Sequence, residues 1–143
     1  MKERFLIFGV SALIILWVYT ACSKLLEFNT FKYQLHMQHM PWGIENILII
    51  ALPVTELLAA YLLAKKTTRY KGLWLSVSLL LLFTIYIGLI LLGVFNKAPC
   101  SCGGVLSFLT WNTHLLFNVI FLSLNSWVLY EIHQQRKEAL KII

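Results

Sequence analysis

The sequence predicts an all-α polytopic membrane protein, a bundle of four transmembrane helices with both termini in the cytoplasm. Three observations carry that reading. Of the 143 residues, 59% are hydrophobic and 13% charged, where a soluble domain averages roughly 45–50% apolar and about 25% charged. The apolar residues gather into four runs, 5–21, 46–64, 72–95 and 113–130, each near the length of about 20 residues that crosses a bilayer as a helix. Lys and Arg also alternate between the connecting segments, nine on one side against three on the other. By the positive-inside rule, that bias sets the direction of every span.

The first run, Phe5 to Ala21, follows Lys2, Glu3 and Arg4 and meets no charge until Lys24. Its basic head and apolar stretch are also the shape of a signal peptide, but Tyr19 suits cleavage before Cys22 poorly, and the run is expected to stay as a span. Between Ser23 and Glu45, Leu25, Phe28, Phe31 and Leu35 recur at helical spacing. An interfacial helix is predicted there, capped by Asn29 and Thr30 and ended by Pro41 to Gly43.

The second run holds Pro53 and Glu56 and stops at Lys65 and Lys66. The third has no charge at all. The fourth carries His114, Asn118 and Asn125 before Glu131. Only helices satisfy their own backbone groups over such lengths in lipid, which fixes the class as all-α, and the length allows one domain at most, expected over 1–143. Trp17, Trp42 and Trp111 are expected near the outer interface, and Trp74 and Trp127 near the inner one. The charges lie between spans rather than along one face, so nucleic acid is not expected as a partner; the lipid bilayer is.

Pro99-Cys100-Ser101-Cys102-Gly103-Gly104 carries the strongest chemical signal. Two cysteines one residue apart close a small, strained ring whose disulfide braces little chain and exchanges readily. The glycines permit backbone amides to converge on a thiolate. The charge bias places this segment and Cys22 on the outer, oxidising side. Cys22 is an accessory thiol or a helix-end cysteine packed as a small hydrophobe. Two thiolates without further ligands make an incomplete metal shell, and the His36, Met37, His39, Met40 cluster reads as solvated surface.

Glu56 sits about 15 Å from the outer end of its run, near the midplane, where an ionisable residue marks function by default. Two readings stand side by side. It relays protons, or it is a protonated side chain hydrogen-bonded to Thr84, Tyr86 or Asn125 that glues helices. Counted by depth, Lys24 lies too far out to pair with it. Trp111, His114, Asn118 and Asn125 share one face of the last helix, below the cysteine segment, where a polar crevice could take a quinone head group against His114 and Asn118. Interhelical hydrogen bonding is the alternative for the asparagines.

With Ser23-Lys24-Leu25 after the first span, Pro53 to Glu56 in the second and Cys100-Ser101-Cys102-Gly103 ahead of the fourth, the chain resembles the MauE/DoxX family, and the MauE branch most. The resemblance implies a multi-pass bundle in the bacterial inner membrane with its cysteine loop on the periplasmic side. It further implies handling of disulfides in extracytoplasmic thiol or disulfide proteins, in methylamine users the disulfide-rich small subunit of the dehydrogenase. The DoxX side implies quinone-linked oxidation of sulfur compounds. Gly103 stands where the MauE pattern usually has an aromatic, and Cys22 is an addition. The expected function is thus a thiol/disulfide oxidoreductase or electron conduit using Cys100, Cys102 and Glu56, with Cys22 and Lys24 as accessory residues and quinone as candidate acceptor. A non-catalytic scaffold for a maturation or export complex is the rival.

Overall fold

The computed structural model describes residues 2–37, 43–94 and 110–141. Within them five helices follow in order: α1 (Lys2–Leu26), α2 (Phe28–His36), α3 (Ile44–Ala64), α4 (Arg69–Leu91) and α5 (Trp111–Lys141). Four of these, all but the nine-residue α2, are long and apolar enough to cross a membrane. They form a closed ring. α1 packs most extensively on α3 and α4 on α5, while α3 against α4 and α1 against α5 complete the circuit.

The bundle is apolar outside and partly polar within. Leu13, Trp17, Leu63, Leu73, Leu80 and Val128 fill the core, and Phe8, Ile15, Ile47, Ile50 and Leu82 face outward. That outward apolar surface is what lipid tails solvate, so association of the helices rests on close packing and internal hydrogen bonds rather than on escape from water. Gly72 shows the closeness required. A Cβ there would lie 2.8 Å from the Leu63 backbone nitrogen and 2.9 Å from the Leu62 carbonyl carbon, so only glycine lets α4 meet the end of α3.

Local signals explain the helix limits, and some differ from expectation. α1 runs on to Leu26, five residues beyond the apolar run, and leads into α2 through backbone bonds from Glu27 N–H to the Ser23 carbonyl and from Phe31 N–H to the Glu27 carbonyl. Those carbonyls supply acceptors across the junction, so Asn29 and Thr30 lie inside α2 and do not cap it; Glu27 holds the N-cap position without a side-chain bond. The helix predicted between the first two spans is present, with Phe31 and Leu35 buried against Ile49 of α3.

α4 stops at Leu91 rather than Phe95 because Gly93 takes φ +73°. Val94 N–H then reaches the Leu89 carbonyl and Gly93 N–H the Ile90 carbonyl, the Schellman closure of a helix end. α5 continues past Tyr130 to Lys141, since His133 to Leu140 contains no breaker and is rich in helix formers. α3 passes through Pro53 without interruption.

Candidate functional site

The polar side chains that the apolar exterior leaves no place for lie inside the ring. Thr20, Lys24, Glu56, Ser76, His114, Asn118 and Asn125 are all buried. At their centre Lys24 Nζ lies 2.7 Å from Glu56 Oε1, with side chains 2% and 0% exposed. The expectation that Lys24 stands too far out for Glu56 is corrected here. Depth counted along the chain locates Cα atoms, yet side chains in a helix lean toward its N-terminus. In the antiparallel α1 and α3, Lys24 leans inward and Glu56 outward, and each long side chain closes part of the gap. Among the described residues Glu56 therefore pairs with Lys24, not with Thr84 or Asn125: Thr84 Oγ1 donates to the Leu80 carbonyl at 2.6 Å, and Asn125 bonds Ser76.

The ammonium has further company. Lys24 Nζ lies 3.5 Å from the Thr20 carbonyl oxygen and 5.9 Å and 6.0 Å from the ring centres of Phe83 and Phe31. Aromatic faces stabilise a cation that has left water. Glu56 Oε2 and Asn118 Nδ2 are buried with no protein partner among the described residues. Glu56 and Asn118 both line a cavity of about 20 Å³, together with His114, Thr20 and Trp17. A polar cavity of that size has room for one water molecule.

A second, neutral cluster lies beside it. Ser76 Oγ accepts from Trp17 Nε1 at 2.7 Å and from Asn125 Nδ2 at 2.6 Å. A hydroxyl oxygen has two lone pairs, and both are used. Trp17, expected in the outer aromatic belt, is thus a core residue only 1% exposed. Trp74 and Trp127 do face outward.

The face of α5 read from spacing is present in its main part: His114, Asn118 and Asn125 all point into the bundle. Trp111 begins the helix, and its side chain lies outside the described set. Cys22, in the last turns of α1, is exposed and forms no disulfide among the described residues. Cys100 and Cys102 lie outside the described residues, in the segment joining α4 to α5, ahead of the first turn of α5, which carries His114. His36 and Met37 are exposed at the end of α2, and His39 and Met40 lie outside the described residues. Among the described residues no three His, Cys, Asp or Glu come together in a way that could hold a metal ion.

The small cavity is too confined for a quinone ring. A larger apolar groove of about 460 Å³ lies between α1 and α5, bordered by Phe8, Ile15, Tyr19 and Phe121. Leu16 and Phe117 line both spaces and form the partition between them. An apolar molecule in the groove would thus be one side-chain layer from His114 and Asn118.

Thr20 and Ser76 were not legible as site residues from sequence. Thr20, one turn before Lys24, carried the one usable signal; Ser76 stood as an ordinary small residue in a charge-free run.

Four long apolar helices enclosing a buried ion pair define a polytopic membrane protein whose polar chemistry is internal. The family model for methylamine utilisation protein MauE matches residues 2–131, and the chain belongs to that family. No curated protein and no solved structure is matched by the chain.

Proposed function

We propose that the protein is a membrane thiol/disulfide redox protein of the bacterial inner membrane that serves the maturation of a disulfide-containing extracytoplasmic partner, a reading that membership of the methylamine utilisation protein MauE family supports. The observation that carries this reading is the Lys24 to Glu56 ion pair and its neighbours His114 and Asn118, buried at the end of the bundle toward which the cysteine segment leads. An intramembrane ion pair is costly to maintain and marks function by default. Both termini then face the cytoplasm and the cysteine segment the periplasm, in line with the Lys/Arg bias.

In this reading a Cys100–Cys102 disulfide accepts two electrons from a partner dithiol, which becomes a disulfide while Cys100 and Cys102 become thiols. Two electrons and two protons then leave the pair for a membrane acceptor, and the disulfide forms again. A quinone suits the acceptor because it takes two electrons and two protons together. It would dock in the α1 and α5 groove, behind Phe117 and Leu16. Glu56, Lys24 and His114 hold and pass the protons, and Asn118 holds the water or carbonyl that they meet. Cys22, exposed on the same side, is placed to exchange with partner thiols.

Mass-tag alkylation of Cys100 and Cys102 in membranes, with and without prior reduction, tests the proposal. The expected result is tagging that depends on reduction and that an impermeant reagent achieves on intact spheroplasts. Thiols that are permanently free, or that label only after membranes are broken, would overturn the redox reading or its compartment, and would favour a scaffold.

A further inference from the structure

The opposite end of the bundle, away from the cysteine segment, holds a second cavity of about 370 Å³ between α1, α5 and the turn from α3 to α4. Its lining has two halves. Lys66, Arg69 and Arg136 form a cationic rim, and Leu6, Ile7, Val10 and Ile132 form an apolar wall. Neither Asp nor Glu occurs among the residues that line it.

The two guanidinium groups are held in place by the protein. Arg69 Nε donates to the Leu63 carbonyl, at the end of α3, at 3.1 Å. That bond uses one of five N–H donors. The Arg136 guanidinium carbon lies 4.5 Å from the centre of the Tyr70 ring, and Tyr70 is itself fixed by His133, its hydroxyl 3.3 Å from Nδ1. Two anchored planar forks and an exposed lysine around one concavity match the oxygens of a phosphodiester.

Depth selects a lipid over a soluble anion. Arg136 lies about 36 Å along α5 from Asn112 at 1.5 Å per residue, beyond a hydrocarbon core of about 30 Å and thus level with lipid head groups. The wall of Leu6, Ile7 and Val10 runs on into the lipid-facing side of α1, where Phe5 and Phe8 are exposed. A phosphate at the rim would have its acyl chains on that surface. We infer that this cavity binds the head group of an anionic phospholipid, with Arg69, Arg136 and Lys66 on the phosphate and Leu6, Ile7 and Val10 against the first acyl carbons. The site is separate from the thiol chemistry and stands whether or not that reading holds.

The test is native mass spectrometry of the full chain released from detergent, titrated with dioleoylphosphatidylglycerol, dioleoylphosphatidylcholine or inorganic phosphate. Wild type is expected to retain one phosphatidylglycerol at least about tenfold more tightly than phosphatidylcholine, and millimolar phosphate is expected not to displace it. The variant Lys66→Gln/Arg136→Gln, which leaves the Arg69 to Leu63 bond intact, should lose that preference. A control with the same charge loss outside the cavity, Lys65→Gln/Lys71→Gln, should keep it. Equal losses in both variants would reduce the effect to bulk charge and overturn the site, and displacement by inorganic phosphate would overturn the lipid as its occupant.

Discussion

Between α1 and α3 the bundle buries the ionisable pair of Lys24 and Glu56, 2.7 Å apart, whereas the hydrogen bonds that join Trp17, Ser76 and Asn125 across α1, α4 and α5 are between neutral groups. Both clusters are fully enclosed and both join helices that are distant in sequence. Their energetics are opposite. A neutral hydrogen bond in a membrane bundle stabilises by about 0.6 kcal/mol on average, because the separated helices also find partners. An ion pair must overcome several kcal/mol of desolvation per ion, so that removing one member leaves an uncompensated charge and costs about 3–5 kcal/mol. The neutral triad has the economy of structural glue; the charged pair is an expensive arrangement for holding two helices together, and that difference is the argument for chemistry at Glu56.

The comparison can be broken most severely at Glu56. Glu56→Gln leaves Lys24 buried without a counter-charge and should lower stability by about 3–5 kcal/mol, read from thermal unfolding in detergent, while Lys24→Met/Glu56→Gln should recover most of that loss. Recovery separates the cost of a stranded charge from any cost of the lost bond. A single variant as stable as wild type would mean that the pair is not charged.

Gly72→Ala comes next, because it disturbs packing and touches neither cluster. Its methyl group would press on the backbone of Leu62 and Leu63, which has no flexible end to yield, and a loss of about 1–3 kcal/mol is expected by the same measurement. The neutral triad should respond more weakly. Asn125→Ala is expected to cost about 1 kcal/mol and to leave Cys100 and Cys102 redox cycling at the wild-type rate. Cys22→Ser, at an exposed position, should change stability by less than about 0.5 kcal/mol, so any slowing of disulfide exchange in that variant reports on the thiol itself.

Much of the fold could be read from the chain because apolar length is a strong signal and lipid leaves few alternatives to a helix. The inward face of His114, Asn118 and Asn125 was legible for the same reason, since 3.6-residue geometry fixes which side chains share a side. What escaped was set by side-chain direction and by tertiary company. Lys24 was placed by its Cα depth, which hides the lean of antiparallel side chains toward each other. Trp17 was placed by the habit of tryptophan at interfaces, whereas its N–H found Ser76 inside the bundle. The end of α4 depended on which of several residues after Leu91 would turn left-handed, and Gly93 decided it. The tail of α5 has no apolar stripe to advertise it, only good helix formers and no stop.

The central claim is that the buried pair moves protons for the thiols, and the rate of Cys100–Cys102 disulfide cycling in Lys24→Met/Glu56→Gln measures it most directly. This variant keeps the cavity filled and strands no charge, so it should fold; an amide and a thioether cannot release a proton. With a partner dithiol and a quinone supplied to protein in nanodiscs, cycling should fall by about a hundredfold or more relative to wild type, the scale of a lost general acid or base. A folded double variant that cycles at the wild-type rate would contradict the account and leave Lys24 and Glu56 as a structural pair.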